Sequence, residues 1–393
     1  MISMDESKKS DLHKKFPEGF LWGSSTASYQ VEGGIDHVDW AQAAKEGKVP
    51  VCGRAIDHYH RYEEDFDLAQ SLGHTAHRFS IEWARIEPEE GKFDESEIEH
   101  YRKVLRALKQ RGMEPFVTLW HFTLPVWFSN KGGFERSDAE MIFKRYCIFV
   151  IERLGNEATF WITMNEPLVW SSNGYAKGTW PPFHKSFVSF FLINRKLAEI
   201  HKEVYGALKQ LNPTLQIGIA KHNIYFTSNS MPWNIVASKV SHCYWNTTFL
   251  NAIRGAQDFI GLNHYFYKRF GGNGNLPKSD MGWDIFPDAI YHCLIDLKKY
   301  AVPVYITENG IADRTDSKRA EFIKGYLSAV LRAIQDGVQV KGYLYWSLLD
   351  NYEWAFGFTE RFGLIEVHPE TLTRLVRPSA YVYKEIIDKN SIL

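Results

Sequence analysis

Cysteine is scarce in this sequence, and the few cysteines are widely spaced. The 393 residues include Cys52, Cys147, Cys243 and Cys293, with no CxxC pair among them. A disulfide framework or a cysteine metal site would need paired or closely spaced cysteines, so neither is expected. We expect free thiols in a reducing compartment and therefore a cytoplasmic protein.

The chain also has no excess of charge of either sign. Lysine and arginine total 46 against 47 acidic residues, which gives a formal net charge of −1. Binding of nucleic acid or a membrane surface by electrostatics needs a marked basic excess, so neither partner is expected. No apolar run reaches the roughly 20 residues of a membrane-spanning helix. Residues 1–15 are charged, lack the apolar core of a signal peptide, and are treated as an N-terminal extension.

Aromatic residues, by contrast, are abundant. They make up 15% of the chain, with 13 tryptophans and 20 tyrosines. Such rings fill large cores, and they also stack on the apolar faces of sugars. Composition alone leaves both interpretations open.

Eight short apolar runs recur along the chain, separated by loops and amphipathic stretches. Their nearly continuous apolar content is typical of parallel strands that are buried on both faces. The runs are 20–26, 74–81, 114–120, 158–165, 216–222, 258–265, 302–308 and 340–347. Eight strand-then-helix units predict the α/β class, with a single (β/α)8 TIM barrel over residues 16–393. A doubly wound open sheet is the alternative, but no GxGxxG or GxxxxGK[ST] motif follows a strand, so nucleotide binding has no support.

Local signals predict several helix boundaries. Ser96 with Glu99, and Ser137 with Glu140, have the spacing of capping boxes. Gly155 is expected to end the helix that starts near Ser137. Further helices are expected over residues 187–210, 317–336 and 378–388.

Polar and aromatic residues cluster at the points where the predicted strands end. In a TIM barrel the C-terminal ends of the strands form the active face. Glu166 and Glu308 directly follow the fourth and seventh runs and should project into the mouth of the barrel. Either alone could be a surface residue or a helix-start charge. Two of them, with Arg78, Asn165 and Tyr265 converging, indicate a catalytic site.

Two facing carboxyl groups are what glycoside hydrolysis requires. One protonates the leaving oxygen, and the other attacks the anomeric carbon or activates water. A metal-dependent barrel hydrolase is a weaker alternative, since His121, His222 and His264 are the only strand-end histidines and no convergent ligand set is evident. We expect no metal and no cofactor.

Five motifs, in order along the chain, resemble those of glycoside hydrolase family 1. They are FPEGFLWG with ASYQVEG (16–33), RFSI (78–81), TMNEP (163–167), ITENG (306–310) and YWSLLDNYEW (345–354). The resemblance extends from about residue 16 to the C-terminus and implies a retaining β-glycosidase. Its substrate would be a small β-glycoside or short oligosaccharide, with β-glucosidase activity favoured over β-galactosidase or β-fucosidase activity. A non-catalytic sugar-binding barrel, which would be expected to lose one of the two glutamates, is a further alternative.

The resemblance also implies roles for individual residues. Glu166 would be the general acid/base and Glu308 the nucleophile. Arg78 and Tyr265 would hold the nucleophile, and Asn165 would bind the sugar 2-hydroxyl. Glutamate rather than glutamine at position 166 separates the chain from the thioglucosidase branch.

The same resemblance assigns the sugar site. Gln30, His121 and Glu353 would bind sugar hydroxyls, Trp346 would stack on the ring, and Trp354 would bond at the 3- and 4-hydroxyl edge. Relatives that cleave 6-phospho sugars carry serine at the position of Glu353, so unphosphorylated glycosides are expected.

The chain departs from the family pattern between Asn223 and Asp258, where the connection of strands 5 and 6 is shortened, and in the loop after strand 6. We therefore expect a more open cleft near Trp245 and Tyr267. The sequence leaves the oligomeric state open.

Overall fold

Eight parallel strands close into one barrel in a computed structural model of the protein, which describes residues 15–272 and 274–392. The strands follow each other around the barrel in sequence order, and the eighth pairs with the first, with Ser25 opposite Trp346. They are β1 (Leu21–Ser25), β2 (Ala76–Ser80), β3 (Glu114–Thr118), β4 (Phe160–Asn165), β5 (Gln216–His222), β6 (Phe259–Asn263), β7 (Val304–Asn309) and β8 (Val340–Trp346). The predicted TIM barrel is confirmed, and closure of the sheet excludes the doubly wound alternative. Most of the N-terminal extension, residues 1–14, lies outside the described residues.

A helix of at least ten residues follows each strand, and most of these helices cover the outside of the barrel. These helices are α1 (His58–Ser71), α2 (Glu95–Gln110), α3 (Ala139–Leu154), α4 (Phe187–Leu211), α5 (Pro232–His242), α6 (Asp288–Leu297), α7 (Arg319–Gln335) and α8 (Pro378–Lys389). The expected bounds of α4, α7 and α8 are confirmed to within two residues. Within the described ranges, no helix combines the length and apolar character needed to cross a bilayer.

Shorter segments build the loops around the barrel. Short α-helices span Ser28–Val31, Asp39–Lys45, Trp83–Ile86, Val126–Ser129, Pro167–Ser171 and Phe249–Ala252. Ser172–Lys177 and Cys243–Thr248 are π-helical, and Gly133–Glu135, Lys298–Tyr300 and Trp354–Phe356 are 3-10 turns. Tyr225–Ser228 pairs in parallel with Tyr267–Phe270, and Ile365–Val367 pairs antiparallel with Arg374–Val376.

Apolar side chains fill the lower half of the barrel. This layer consists of Ala76, Phe116, Ile162, Ala220, Phe259, Tyr305 and Leu344. Because alternate strand residues share a face, Arg78 on β2 projects into the barrel two residues above Ala76. The packed layer closes the bottom of the barrel and leaves the C-terminal strand ends as its open, polar end.

The helix caps differ from the predicted capping boxes. Helix α2 begins after Asp94, whose Oδ1 accepts a hydrogen bond of 2.8 Å from the backbone N of Ser96. The prediction of Ser96 as the cap is therefore wrong, because an acidic residue two positions earlier accepts that bond. Ser137 is not the cap of α3 either, since that position is held by Asp138, which pairs with Arg136. Gly155 follows the last residue of α3, as predicted.

The shortened connection between β5 and β6 forms a folded segment. It contains α5, and its strand Tyr225–Ser228 pairs with Tyr267–Phe270. Trp245 lines the cavity at the mouth of the barrel, in line with the expected cleft. The ring of Tyr267 itself is buried and packs on Phe286 at a centroid distance of 4.8 Å, while its neighbours Phe266 and Lys268 line the cavity.

Candidate active site

The C-terminal ends of the strands surround a cavity of about 870 Å³. This volume is near the top of the range of about 300–1,000 Å³ that is typical of sites for drug-sized ligands. Of the ten site residues predicted from the sequence, Arg78 is fully buried and does not line the cavity. The other nine line it, namely Gln30, His121, Asn165, Glu166, Tyr265, Glu308, Trp346, Glu353 and Trp354.

Glu166 enters the cavity through an unusual backbone conformation directly after β4. Its φ angle is +42°, in the left-handed region that non-glycine residues rarely occupy. Two features hold it there: its backbone N donates to the carbonyl of Ala220 at 2.8 Å, and Pro167 begins the next helix. Such local strain is common where a side chain must take a functional direction.

The surroundings of Glu166 favour its protonated form. Burial raises the pKa of this carboxyl group, and the negative charge of Glu308 raises it further. The side-chain amide of Asn263 donates to Glu166 Oε1 at 2.8 Å and opposes the shift. Burial and the neighbouring charge prevail, so the pKa lies well above the usual range of a glutamate.

Glu308, at the end of β7, accepts hydrogen bonds at both oxygens of its carboxyl group. Arg78 donates to its Oε1 in a buried ion pair, and the Tyr265 hydroxyl donates to its Oε2 at 2.6 Å. Burial and the charge of Glu308 raise the pKa of Tyr265 well above its usual range, so the phenol keeps its proton and remains a donor. Both oxygens of the carboxylate are therefore satisfied by donors.

Arg78 links the two halves of the site. Its Nη2 donates to Asn165 Oδ1 at 2.6 Å, and its Nε donates to Thr118 Oγ1 at 3.0 Å. Asn165 precedes Glu166, so the guanidinium that contacts Glu308 also fixes the residue next to the other carboxyl group. The two glutamates thus belong to one hydrogen-bonded network.

Asn263 is a member of this network that the sequence analysis did not select. Its amide N donates to both Glu166 Oε1 and Asn165 Oδ1, and its Oδ1 accepts from the Thr307 hydroxyl at 2.6 Å. The only sequence signal for Asn263 is its position near the end of the sixth apolar run. The family resemblance assigns a role at this strand end to Tyr265, two residues later, and not to Asn263.

Three buried polar atoms at the cavity have no hydrogen-bond partner in the described part of the chain. They are Gln30 Oε1, His121 Nδ1 and Glu353 Oε2. A buried polar group left unpaired is costly, so these atoms are expected to meet a ligand. Burial raises the pKa of Glu353 to about 8, with the charge of Glu308 adding to the shift.

The orientation of His121 follows from its neighbours. Burial lowers its pKa well below the usual range, so the ring is neutral. Asn165 accepts from Arg78 through Oδ1, and its Nδ2 donates to His121 Nε2 at 3.2 Å. Because Nε2 is the acceptor, the ring proton is assigned to Nδ1, the atom without a partner.

Two tryptophans complete the inner part of the cavity. The ring of His121 is nearly parallel to Trp346, at a centroid distance of 6.2 Å and 20°, and to Trp354, at 6.0 Å and 13°. Trp354 packs against Trp40 at 4.8 Å, which fixes its plane. Flat rings and unpaired polar atoms together form a surface suited to a sugar ring.

Aromatic side chains form an outer wall of the cavity, and the sequence predicts only Trp245 of them to lie near the cleft. They include Phe190, Tyr244, Trp245, Phe266 and Trp283. Trp245 Nε1 donates to His222 Nδ1 at 3.3 Å, which orients the indole. These residues come from segments without a recognisable motif, so sequence spacing gave no signal for them.

Comparison with known proteins decides the family. The model described as Glycosyl hydrolase family 1 matches residues 12–255 and 266–392. The chain belongs to this family. The 1,4-beta-D-glucan glucohydrolase of Thermotoga neapolitana is 34% identical over 441 aligned residues, covering 96% of this chain and 99% of the relative.

The fold of this chain also closely matches solved structures of β-glycosidases. The beta-glycosidase from Pyrococcus horikoshii is 38% identical with a TM-score of 0.91, covering 96% of both chains. The beta-glucosidase from Thermotoga maritima in complex with glucoimidazole is 32% identical with a TM-score of 0.91, covering 96% of this chain and 99% of that one.

The enzyme is therefore a glycoside hydrolase, and the predicted family membership is confirmed. As a member of family 1 it is a retaining β-glycosidase. In the two ranges that the structure describes, no three His, Cys, Asp or Glu side chains are grouped as metal ligands would be.

Proposed function

We propose that the enzyme is a β-glucosidase that removes terminal non-reducing β-D-glucosyl residues, with Glu166 as general acid/base and Glu308 as nucleophile. The observation that carries the proposal is the contrast between the two carboxyl groups. Burial and a neighbouring charge favour the protonated form of Glu166, while Arg78 and Tyr265 supply donors to an ionised Glu308. A carboxyl group that burial keeps protonated, beside a second one whose two oxygens both accept hydrogen bonds from buried donors, is the arrangement expected of an acid and a nucleophile.

In the first step of the proposed reaction, a Glu308 oxygen attacks the anomeric carbon. The bond from that carbon to the leaving oxygen breaks, and the proton of Glu166 passes to the leaving oxygen. A covalent glycosyl ester of Glu308 forms, and the aglycone departs with its new hydroxyl group. Asn165 would donate to the sugar 2-hydroxyl, a contact that strengthens in the transition state.

In the second step, water replaces the enzyme at the anomeric carbon. Esterification removes the negative charge of Glu308, which had raised the pKa of Glu166. The pKa of Glu166 then falls, so the carboxylate can take a proton from water as the water attacks. Two displacements at the same carbon leave the β configuration unchanged.

The unpaired atoms of the cavity provide the proposed sugar contacts. Gln30 Oε1 and Glu353 Oε2 would accept from sugar hydroxyls, and His121 Nδ1 would donate to one. Trp346 would stack on the ring, and Trp354 would bond at the 3- and 4-hydroxyl edge. Glu353 is an acidic group where a phosphate would need a cation, and this supports unphosphorylated glycosides as substrates.

The preferred sugar is tested with aryl β-glycosides that differ only at C4 and C2, together with the β-fucoside. We expect kcat/KM to be highest for the β-glucoside, because Glu353 and Gln30 form a polar pocket with unpaired acceptors. A higher kcat/KM for the β-galactoside or β-fucoside would contradict the glucosidase assignment and leave the β-glycosidase activity intact. Absence of hydrolysis of every member would favour the non-catalytic sugar-binding alternative.

The pH dependence follows from the raised pKa of Glu166. The acid is competent while protonated, so kcat/KM should fall as the pH rises through this raised pKa, on the alkaline side of the profile. Rates for an aryl β-glucoside across the neutral and alkaline range provide the measurement. Since Glu353 also has a raised pKa, the profile of Glu353→Gln must keep the alkaline decline if Glu166 causes it.

Asn263 is predicted to limit the rise in the pKa of Glu166. Asn263→Ala removes the donor that favours the ionised form of Glu166, so the alkaline decline should move to higher pH. We expect kcat/KM at neutral pH to fall by roughly 10- to 100-fold, because negative charge develops on Glu166 as it gives up its proton and the hydrogen bond that would stabilise this charge is lost. The exposed Asn156→Ala is the matched control and should change neither quantity. An unchanged profile in Asn263→Ala would argue against this role.

We further propose a cytoplasmic enzyme whose catalytic domain comprises residues 16–393. All four cysteines are free, and three of them are buried, which suits a reducing compartment.

A further inference from the structure

An apolar surface continues from the cavity onto the outside of the protein beside the fourth and fifth strands of the barrel. Glu166 follows β4, and the group that it would protonate leaves on its side of the cavity. The elements beside that side are α4, which follows β4, and α5, which follows β5. Both present apolar side chains to solvent.

The first part of this surface is the N-terminal end of α4. Phe187 lines the cavity although 70% of its surface is exposed, and Phe190 lies beside it on the cavity wall. Phe191, one helical turn after Phe187, is 50% exposed and packs edge-on against Tyr244 at 4.8 Å. These rings lead from inside the cavity to its outer edge.

The second part is a stripe along α5. Val236 and Val240 are 59% and 62% exposed, and their spacing of four residues places them on one helical face. Tyr244 follows α5 directly, at the start of the π-helical segment, and lines the cavity. The two parts therefore meet at Tyr244, and we call the surface formed by Phe187, Phe191, Val236 and Val240 the apolar apron.

The apron suits an apolar ligand better than further sugar units. Its phenylalanine and valine side chains offer no donor or acceptor for hydroxyl groups. Contiguous exposed apolar surface is unusual on a protein and marks a place that something apolar covers. A ligand whose sugar occupies the inner cavity would carry its aglycone out past Glu166, directly onto the apron.

We propose that the apron binds the aglycone of amphiphilic substrates, β-glucosides with a long flexible hydrocarbon chain. This inference rests on the proposed β-glucosidase function and specifies its substrate class. The occupant is covalently linked to the sugar in the cavity, so each methylene that reaches the apron adds apolar burial without a separate binding event.

The test compares n-butyl and n-octyl β-D-glucosides by glucose release, with the octyl compound kept below its critical micelle concentration. Full burial of a methylene changes affinity by about fourfold, and partial burial on an open surface by about twofold. We therefore expect kcat/KM to be at least about tenfold higher for the octyl substrate. In Phe191→Ser/Val240→Ser, at two apron positions that do not line the cavity, the octyl-to-butyl ratio should fall at least about threefold, while kcat/KM for the butyl substrate stays close to that of the parent.

Tyr381→Ser, which removes an exposed ring from α8, is the matched control and should keep the parent ratio. A parent ratio below tenfold, or a ratio that the double variant leaves unchanged, overturns the proposal. A third outcome also overturns it: sedimentation shows that the parent is a dimer and the double variant a monomer, while the octyl-to-butyl ratio is the same in both. A second copy of the chain would then be what covers the apron. Hydrolysis of neither glucoside would instead refute the function on which the inference rests, whereas butyl hydrolysis without a chain-length effect refutes the inference alone.

Discussion

Replacing Glu308 with alanine is expected to lower kcat for β-glucosides by roughly 10⁴- to 10⁶-fold, the scale of losing a catalytic nucleophile. The proposed covalent step needs an oxygen of this carboxylate, and no other carboxylate at the cavity is held by both Arg78 and Tyr265. Adding sodium azide should restore turnover of an activated aryl β-glucoside. Azide would occupy the space of the missing carboxylate, attack from the α face, and yield the α-glucosyl azide. Nuclear magnetic resonance of the product provides the measurement.

Folding must be separated from chemistry in this variant. Without Glu308, Arg78 becomes a buried charge without its ion-pair partner, which can cost about 3–5 kcal/mol of stability. Glu308→Gln keeps the shape and one acceptor oxygen, enough for either Arg78 or Tyr265, and it should be equally inactive with less destabilisation than alanine. Glu321→Ala on α7, an exposed position, should retain full activity. Activity of Glu308→Gln within tenfold of the parent would refute the nucleophile assignment.

Replacing Glu166 with alanine is expected to give a loss that depends on the leaving group. For cellobiose, whose alkoxide leaves poorly, kcat/KM should fall by roughly 10²- to 10⁴-fold, the contribution of general acid catalysis. For 2,4-dinitrophenyl β-glucoside the leaving group needs no proton, so kcat/KM should change much less. Steady-state rates on the two substrates give this comparison within a single protein sample.

The second half-reaction supplies an independent readout on the same variant. Without a base, water attacks the glycosyl ester slowly, so the ester should accumulate with the dinitrophenyl substrate. Azide needs no deprotonation and should speed turnover, giving the β-glucosyl azide rather than the α product expected of the Glu308 variant. Equal losses on both substrates, with no effect of azide, would argue that Glu166 is a structural residue.

The barrel could be predicted from the sequence because its strands are buried on both faces. Runs such as 114–120 and 340–347 are nearly continuous in apolar content, and this pattern does not depend on which distant residues pack against them. The first residues of the helices were harder to predict from the sequence. Ser96 and Asp94 are both good caps, and the choice between them depends on the backbone angles at that turn, which composition does not determine.

The site also has a part that the sequence predicts and a part that it does not. Glu166, Glu308 and the proposed sugar-binding residues lie in motifs with a family resemblance, so their clustering in one cavity was expected. Asn263 belongs to the same network, but its link to Glu166 joins the ends of β4 and β6, which are far apart in sequence. Such contacts depend on the curvature of the closed sheet and cannot be read from local spacing.

The apolar apron was still less predictable. Phe187 and Val240 resemble ordinary core positions of amphipathic helices, and only the fold shows that they face solvent beside the cavity. The shortened connection of β5 and β6 drew attention to this side of the barrel. Of the two residues expected near this cleft, Trp245 lines the cavity and Tyr267 is buried, while α4 and α5 form the exposed surface.

The central claim is a covalent intermediate on Glu308, and trapping tests it most directly. With 2,4-dinitrophenyl 2-deoxy-2-fluoro-β-D-glucoside, the fluorine slows both steps, while the good leaving group lets the first step proceed. Intact-protein and peptide mass spectrometry should then show one fluoroglucosyl group per chain, attached to Glu308. An active enzyme that shows no adduct under these conditions, or carries the adduct on Glu166 or another residue, would contradict the account.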